Sequence, residues 1–115
     1  MYALFLILND PYKLHDIHEI FYNHGVGATT MDSHGMGKVL LEHNVDIPIL
    51  RSVRKLLEGD QPYNKTMVSV IKDENVLNKV VDDIKVELDG LDKAGAGFMF
   101  VVPVQCCYGF KTKEK

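Results

Sequence analysis

The sequence predicts an α+β fold in which one four-stranded sheet is built from two successive strand–helix–strand units. Three observations predict it. Short apolar runs suited to strands alternate with stretches in which apolar residues recur every three or four positions. Asp-Pro and Gly punctuation falls between them. The chain has 115 residues, 46% of them hydrophobic and 25% charged, which is enough for one globular core and not for two.

The first element is the apolar run 2–8, bounded by Asn9, Asp10 and Pro11, with the pattern of a strand covered on both faces. Asp10 then supplies an N-cap and Pro11 the first helical position, and Leu14, Ile17, Ile20 and Phe21 recur at helical spacing until Gly25. Residues 26–34 are extended by composition, and Gly35-Met36-Gly37 interrupts them before a short apolar continuation at 39–41. Between 46 and 59, Ile49, Leu50, Val53, Leu56 and Leu57 form a stripe beside Arg51, Arg54 and Lys55, which predicts a short inserted amphipathic helix. The β-branched run 66–71 reads as a third strand. Asp73 caps a longer helix whose Val76, Leu77, Val80, Val81, Ile84 and Leu88 share one side up to Gly90. After the small residues of 93–97, the run 98–104 is the fourth strand. The order is a split βαβ unit repeated, so the expected fold is ferredoxin-like βαββαβ with an extra short helix between the second and third strands. One domain is expected over 1–110, followed by a charged tail at 111–115.

In such a fold both long helices lie on one face of the sheet, and the other face of a monomer should read polar. It reads apolar. The first strand offers Ala3, Phe5 and Ile7 to one side and Leu4, Leu6 and Leu8 to the other, and the fourth offers Phe98, Phe100 and Val102 against Met99 and Val101. At about 25 cal/mol per Å² and roughly 100 Å² for each large side chain, leaving five or six of them in water forgoes on the order of 10 kcal/mol. That rivals the whole stability of a small domain. The second face is therefore expected to be covered, either in part by the inserted helix or by sister copies of the chain in a closed ring.

Charge and cysteine content exclude several roles. Thirteen Lys and Arg stand against sixteen Asp and Glu, a formal net charge of −3, so no basic excess is available for nucleic acid or an anionic bilayer. Neither nucleic-acid binding nor membrane insertion is expected. The opening apolar run lacks a basic leader and stops too soon for a signal peptide, and the run 98–104 is far short of a membrane span. Two adjacent cysteines, Cys106 and Cys107, do not make a disulfide framework, so a cytoplasmic location is expected.

Gly27-Ala28-Thr29, the stretch from Asp32 through Gly35-Met36-Gly37, and the late stretch from Gly95-Ala96-Gly97 to Val104 together resemble the P-II nitrogen regulatory protein family in order and spacing. Pro11-Tyr12-Lys13-Leu14 resembles that family's Pro-Phe-Lys-Leu at the first helix, and the similarity covers roughly 2–41 and 64–110. The resemblance implies a homotrimer of ferredoxin-like subunits with a nucleotide cleft between neighbours, a non-enzymatic signalling role, and a partner protein regulated through a long loop. The expected ligand-binding residues are Thr29, Gly35, Met36, Gly37, Lys38, Gly95, Gly97 and Lys111. Arg51, Arg54 and Lys55 lie in the segment that replaces the family's long loop, and are the expected effector residues. The chain departs from the family pattern at three places. Lys38-Val39 stands for Arg-Gln, Phe98 stands for the phosphate-binding lysine, and one cation, Lys111, remains where the family has an Arg-x-Arg pair. A triphosphate needs several charge-assisted donors, whereas these turns offer mainly backbone N–H groups. The expected occupant is therefore a small anionic ligand or nucleotide of undefined identity, and no cofactor is assigned.

Each motif also has a plainer reading. The two glycine turns serve equally as bends needing positive φ, and Arg51, Arg54 and Lys55 as a solvated helix face. His15, His18, His24, His34 and His43, with Asp32 and the cysteine pair, raise a metal reading similar to the CutA-type divalent-cation trimers, yet no ligand spacing links them. Asp32 and His34, two apart on a strand, offer an acid–base couple, and no nucleophile accompanies them. For the cysteines, inert packing after a buried strand is the plainer reading beside redox or metal chemistry.

Overall fold

The computed structural model describes residues 1–36, 64–91 and 97–110. The predicted inserted helix at 46–59, the continuation at 39–41 and the tail at 111–115 lie outside the described residues. Within them the order is β1 (Tyr2–Leu8), a 3-10 turn (Pro11–Lys13), α1 (Leu14–Asn23), β2 (Thr29–Ser33), β3 (Asn64–Ile71), α2 (Glu74–Glu87), a turn at Asp89–Leu91 and β4 (Gly97–Pro103). The four strands form one sheet in the order β2-β3-β1-β4, with every neighbouring pair antiparallel. The architecture is α+β, a four-stranded antiparallel sheet with two helices, and is compatible with a ferredoxin-like fold.

Each helix is set by its ends. The Asp10 carboxylate accepts from the Tyr12 backbone N–H at 3.0 Å, and Pro11 opens the tight turn that leads into α1. At the other end Gly25, at φ 71°, lets its own N–H reach the Tyr22 carbonyl and the Val26 N–H reach that of Phe21, each at 3.0 Å. This pair of bonds satisfies carbonyls the last turn would leave open. Asp73 caps α2 by accepting from the Asn75 N–H at 2.8 Å.

One face of the sheet makes the core. Leu4, Leu6 and Leu8 of β1 and Met67 and Ile71 of β3 meet Ile17 and Phe21 of α1 and Leu77, Val80 and Ile84 of α2, all buried. An ion pair and a hydrogen bond add to this layer. Lys13 Nζ lies 2.8 Å from Glu87 and His24 Nε2 lies 2.6 Å from Asp83, so the two helices are joined near both ends of α1. Ser69, the buried polar residue of β3, donates to the Gly27 carbonyl at 2.6 Å and is thereby satisfied.

Candidate functional site

Strand periodicity sends Ala3, Phe5 and Ile7 to the face opposite the helices, and the register adds their partners. Phe5 sits across from Val68 on one side and Phe100 on the other, Ile7 across from Phe98, and Ala3 across from Val102. The Phe5 and Phe100 rings stack with centroids 4.8 Å apart and planes 9° from parallel, and Phe98 continues the row 6.1 Å from Phe100. Phe98 is 58% and Phe100 43% exposed. Thr29 and Met31 of β2, opposite Val68 and Thr66, are exposed on the same face. The expectation of an apolar second face thus holds among the described residues, and along β4 that face lies open.

The described members of the two glycine turns lie at one end of this sheet. Ser33 closes β2 and pairs with Asn64, and Gly35 and Met36 follow it; Gly97 opens β4 and pairs with Leu8, the last residue of β1. Leu8 is also paired with Lys65, so these termini belong to the same edge-to-edge line. β2 and β4 are nevertheless the two outer strands, three strand spacings apart, or roughly 14 Å. Gly35 and Gly97 therefore share an end of the sheet but not a side. Thr29 is at the far end of β2, level with Val68, and does not join Gly35 and Met36. Gly37, Lys38, Gly95 and Lys111, like the effector residues Arg51, Arg54 and Lys55, lie outside the described residues.

The two glycine positions have different reasons. Gly97 has φ 134°, and a Cβ there would run into the carbonyl oxygen of Ile7, so β4 joins β1 only with glycine at that point. Gly35 has no such demand: a Cβ would lie 3.9 Å from Asn64 Nδ2, an ordinary contact.

Beside Gly35 the strand ends assemble a polar group that single-sequence reading passed over. Ser33 Oγ lies against Asn64 Oδ1 and is 2.7 Å from Thr66 Oγ1, all three half-buried at the rim of the apolar face. The signal was present only as three small polar residues in separate segments, and the β2–β3 register is what unites them. Next to this group Lys65 is ion-paired with Asp32. The hydrogen bond and charge of Lys65 hold the Asp32 carboxyl below the usual carboxylate range, with His34 adding a smaller share. Asp32 is thus an ionised partner of a lysine, a poor start for the acid–base couple suggested by the sequence.

The histidines are spread over the molecule. His18 Nε2 lies 2.8 Å from Thr30 Oγ1 and His24 is held by Asp83. Among the described residues no group of three or more His, Cys, Asp or Glu side chains is placed to hold a metal ion. Nor is any helix among them long and apolar enough to cross a membrane.

The fold and this site define an α+β sheet protein with an open aromatic face and with Gly35 and Gly97 at one end of the sheet. No family model matches the chain, and no curated protein matches its sequence.

Proposed function

We propose that the chain is a non-enzymatic, P-II-like signalling protein with the complete βαββαβ topology and the extra helix at 46–59. It assembles as a homotrimer, binds a small anionic ligand or nucleotide in clefts between subunits, and controls a partner protein through the 46–59 segment. One observation carries the reading: Gly35 and Gly97, the described glycines of the two motifs, sit at the same end of the sheet but on its opposite edges. A single anionic group does not touch both glycines across roughly 14 Å within one chain. In a ring, the β2 edge of one copy faces the β4 edge of the next, and the two turns meet across the boundary. The exposed row of Phe98 and Phe100 supplies apolar surface to close such a ring.

In this arrangement the glycine turns offer backbone N–H groups to the anion, and Ser33, Asn64 and Thr66 supply neutral polar groups at the rim. The ligand acts as a switch by preferring one pose of the 46–59 segment, and a preference of about 1 to 3 kcal/mol is sufficient. Native mass spectrometry of gently purified protein is the test. A mass of three chains carrying retained small molecules is the expected result, and a lone chain of 13.0 kDa overturns the reading. Hydrogen exchange over 46–59 then reports the switch: protection must change when the retained molecule is removed.

A further inference from the structure

At the other end of the sheet, a full strand length from the glycine turns, the chain leaves β4 and presents two adjacent thiols. Their position is fixed on both sides. The Val104 N–H donates to the Met1 carbonyl at 3.0 Å, and the Phe110 ring lies under the Lys72 ammonium, 5.2 Å from its centroid. Between these two anchors Cys106 is exposed and Cys107 half-buried, and both are free thiols.

Adjacency decides what such a pair can do. Neighbouring Cα atoms are about 3.8 Å apart across a trans peptide, closer than the roughly 4.4 to 6.8 Å that disulfides span. Direct oxidation therefore closes a strained ring, and the pair is favoured as a dithiol. Inserting one large, soft atom between the sulfurs enlarges the ring and relieves that strain. Zinc wants four ligands, and no further His, Cys, Asp or Glu among the described residues groups with the pair to supply them. A pyramidal trivalent centre takes two sulfurs side by side and carries its own third substituent.

We propose that Cys106 and Cys107 form a chelating site for trivalent arsenicals bearing one carbon substituent. In the reaction two S–H bonds and two As–O bonds break, two As–S bonds form, and two waters leave from the hydrated arsenical. Arsenic stays trivalent and no oxidant or reductant is needed. The site is independent of the subunit clefts proposed above.

Phenylarsine oxide added to the full-length protein tests the site, read by intact mass and thiol titration. One adduct per chain is expected, with both thiols lost together. Excess glutathione should strip the adduct from Cys106→Ser or Cys107→Ser at concentrations about 100-fold below those needed for the unmodified pair, because the second sulfur binds intramolecularly. A small dithiol such as 2,3-dimercaptopropanol should release it from the unmodified protein. Equal sensitivity of the pair and the single variants to glutathione overturns the proposal. So does titration of the two thiols one at a time in the unmodified protein, a result that needs no variant to fold.

Discussion

Gly97 is the position at which one methyl group decides whether β4 can pair with β1. Alanine there places a Cβ against the Ile7 carbonyl oxygen and also demands φ 134° of a residue that avoids it. The expected cost of Gly97→Ala is about 2 to 4 kcal/mol, read from urea unfolding. Gly35→Ala meets only an ordinary contact with Asn64 and should move stability by no more than about 0.5 kcal/mol. Loss of ligand in Gly35→Ala therefore reports on binding, whereas the same loss in Gly97→Ala reports on folding. A second expectation at this scale concerns Asp32, whose carboxyl is held low by Lys65 and then His34. A depressed folded-state value means the pair stabilises above the ordinary carboxylate range and loses that contribution as pH falls through the folded value. The stability gap between the native chain and Asp32→Asn should thus be present at neutral pH and close below about pH 4, which acid titration of unfolding at several pH values will show.

Among the elements, the two helices and the inner face of the sheet divide the core unevenly, and substitution should reveal it. Phe21 of α1 is buried in the core cluster shared by both helices, β1 and β3, so Phe21→Ala should cost about 3 to 5 kcal/mol in urea unfolding. Ser69→Ala removes one hydrogen bond, to the Gly27 carbonyl, and should cost only about 1 kcal/mol. The first of these was legible in the sequence, because Leu14, Ile17, Ile20 and Phe21 hold helical spacing and Leu4, Leu6 and Leu8 alternate along a strand. Both caps, Asp10 and Asp73, were legible for the same local reason. Ser69 was not, since a small polar residue carries no burial signal of its own; it is buried because it stands between Met67 and Ile71 on the helix-covered face. The start of β3 was also missed: Asn64 and Lys65 carry no strand signal of their own and are extended because Ser33, Asp32 and Leu8 stand opposite them. The tight turn before α1 was hidden as well, Pro11 being equally at home in either helix type.

Across the molecule, the open aromatic face connects stability to the proposed binding role. The alternation that makes the face apolar was visible in the sequence, yet the distance between the two glycine turns was not, because only the strand order puts β2 and β4 on opposite edges. In the proposed ring, that order makes assembly and ligand binding one property. Phe100 stacks on Phe5 and is 43% exposed, so Phe100→Asp loses about 0.5 to 1.5 kcal/mol of ring contact within a chain while placing a charge in any interface built on this face. The variant should sediment as a single chain of 13.0 kDa with an unchanged circular dichroism spectrum, against the trimer proposed for the native protein. Retained ligand should disappear with the trimer, although Gly35 and Gly97 are untouched, since in the proposed ring each chain alone offers only half of the cleft. If instead the single-chain variant keeps its ligand, both halves must lie within one copy, and the intersubunit cleft is wrong even though the trimer stands. Met31→Asp, near the β2 edge of the same face, provides the matching disruption from the other side and should give the same pair of losses.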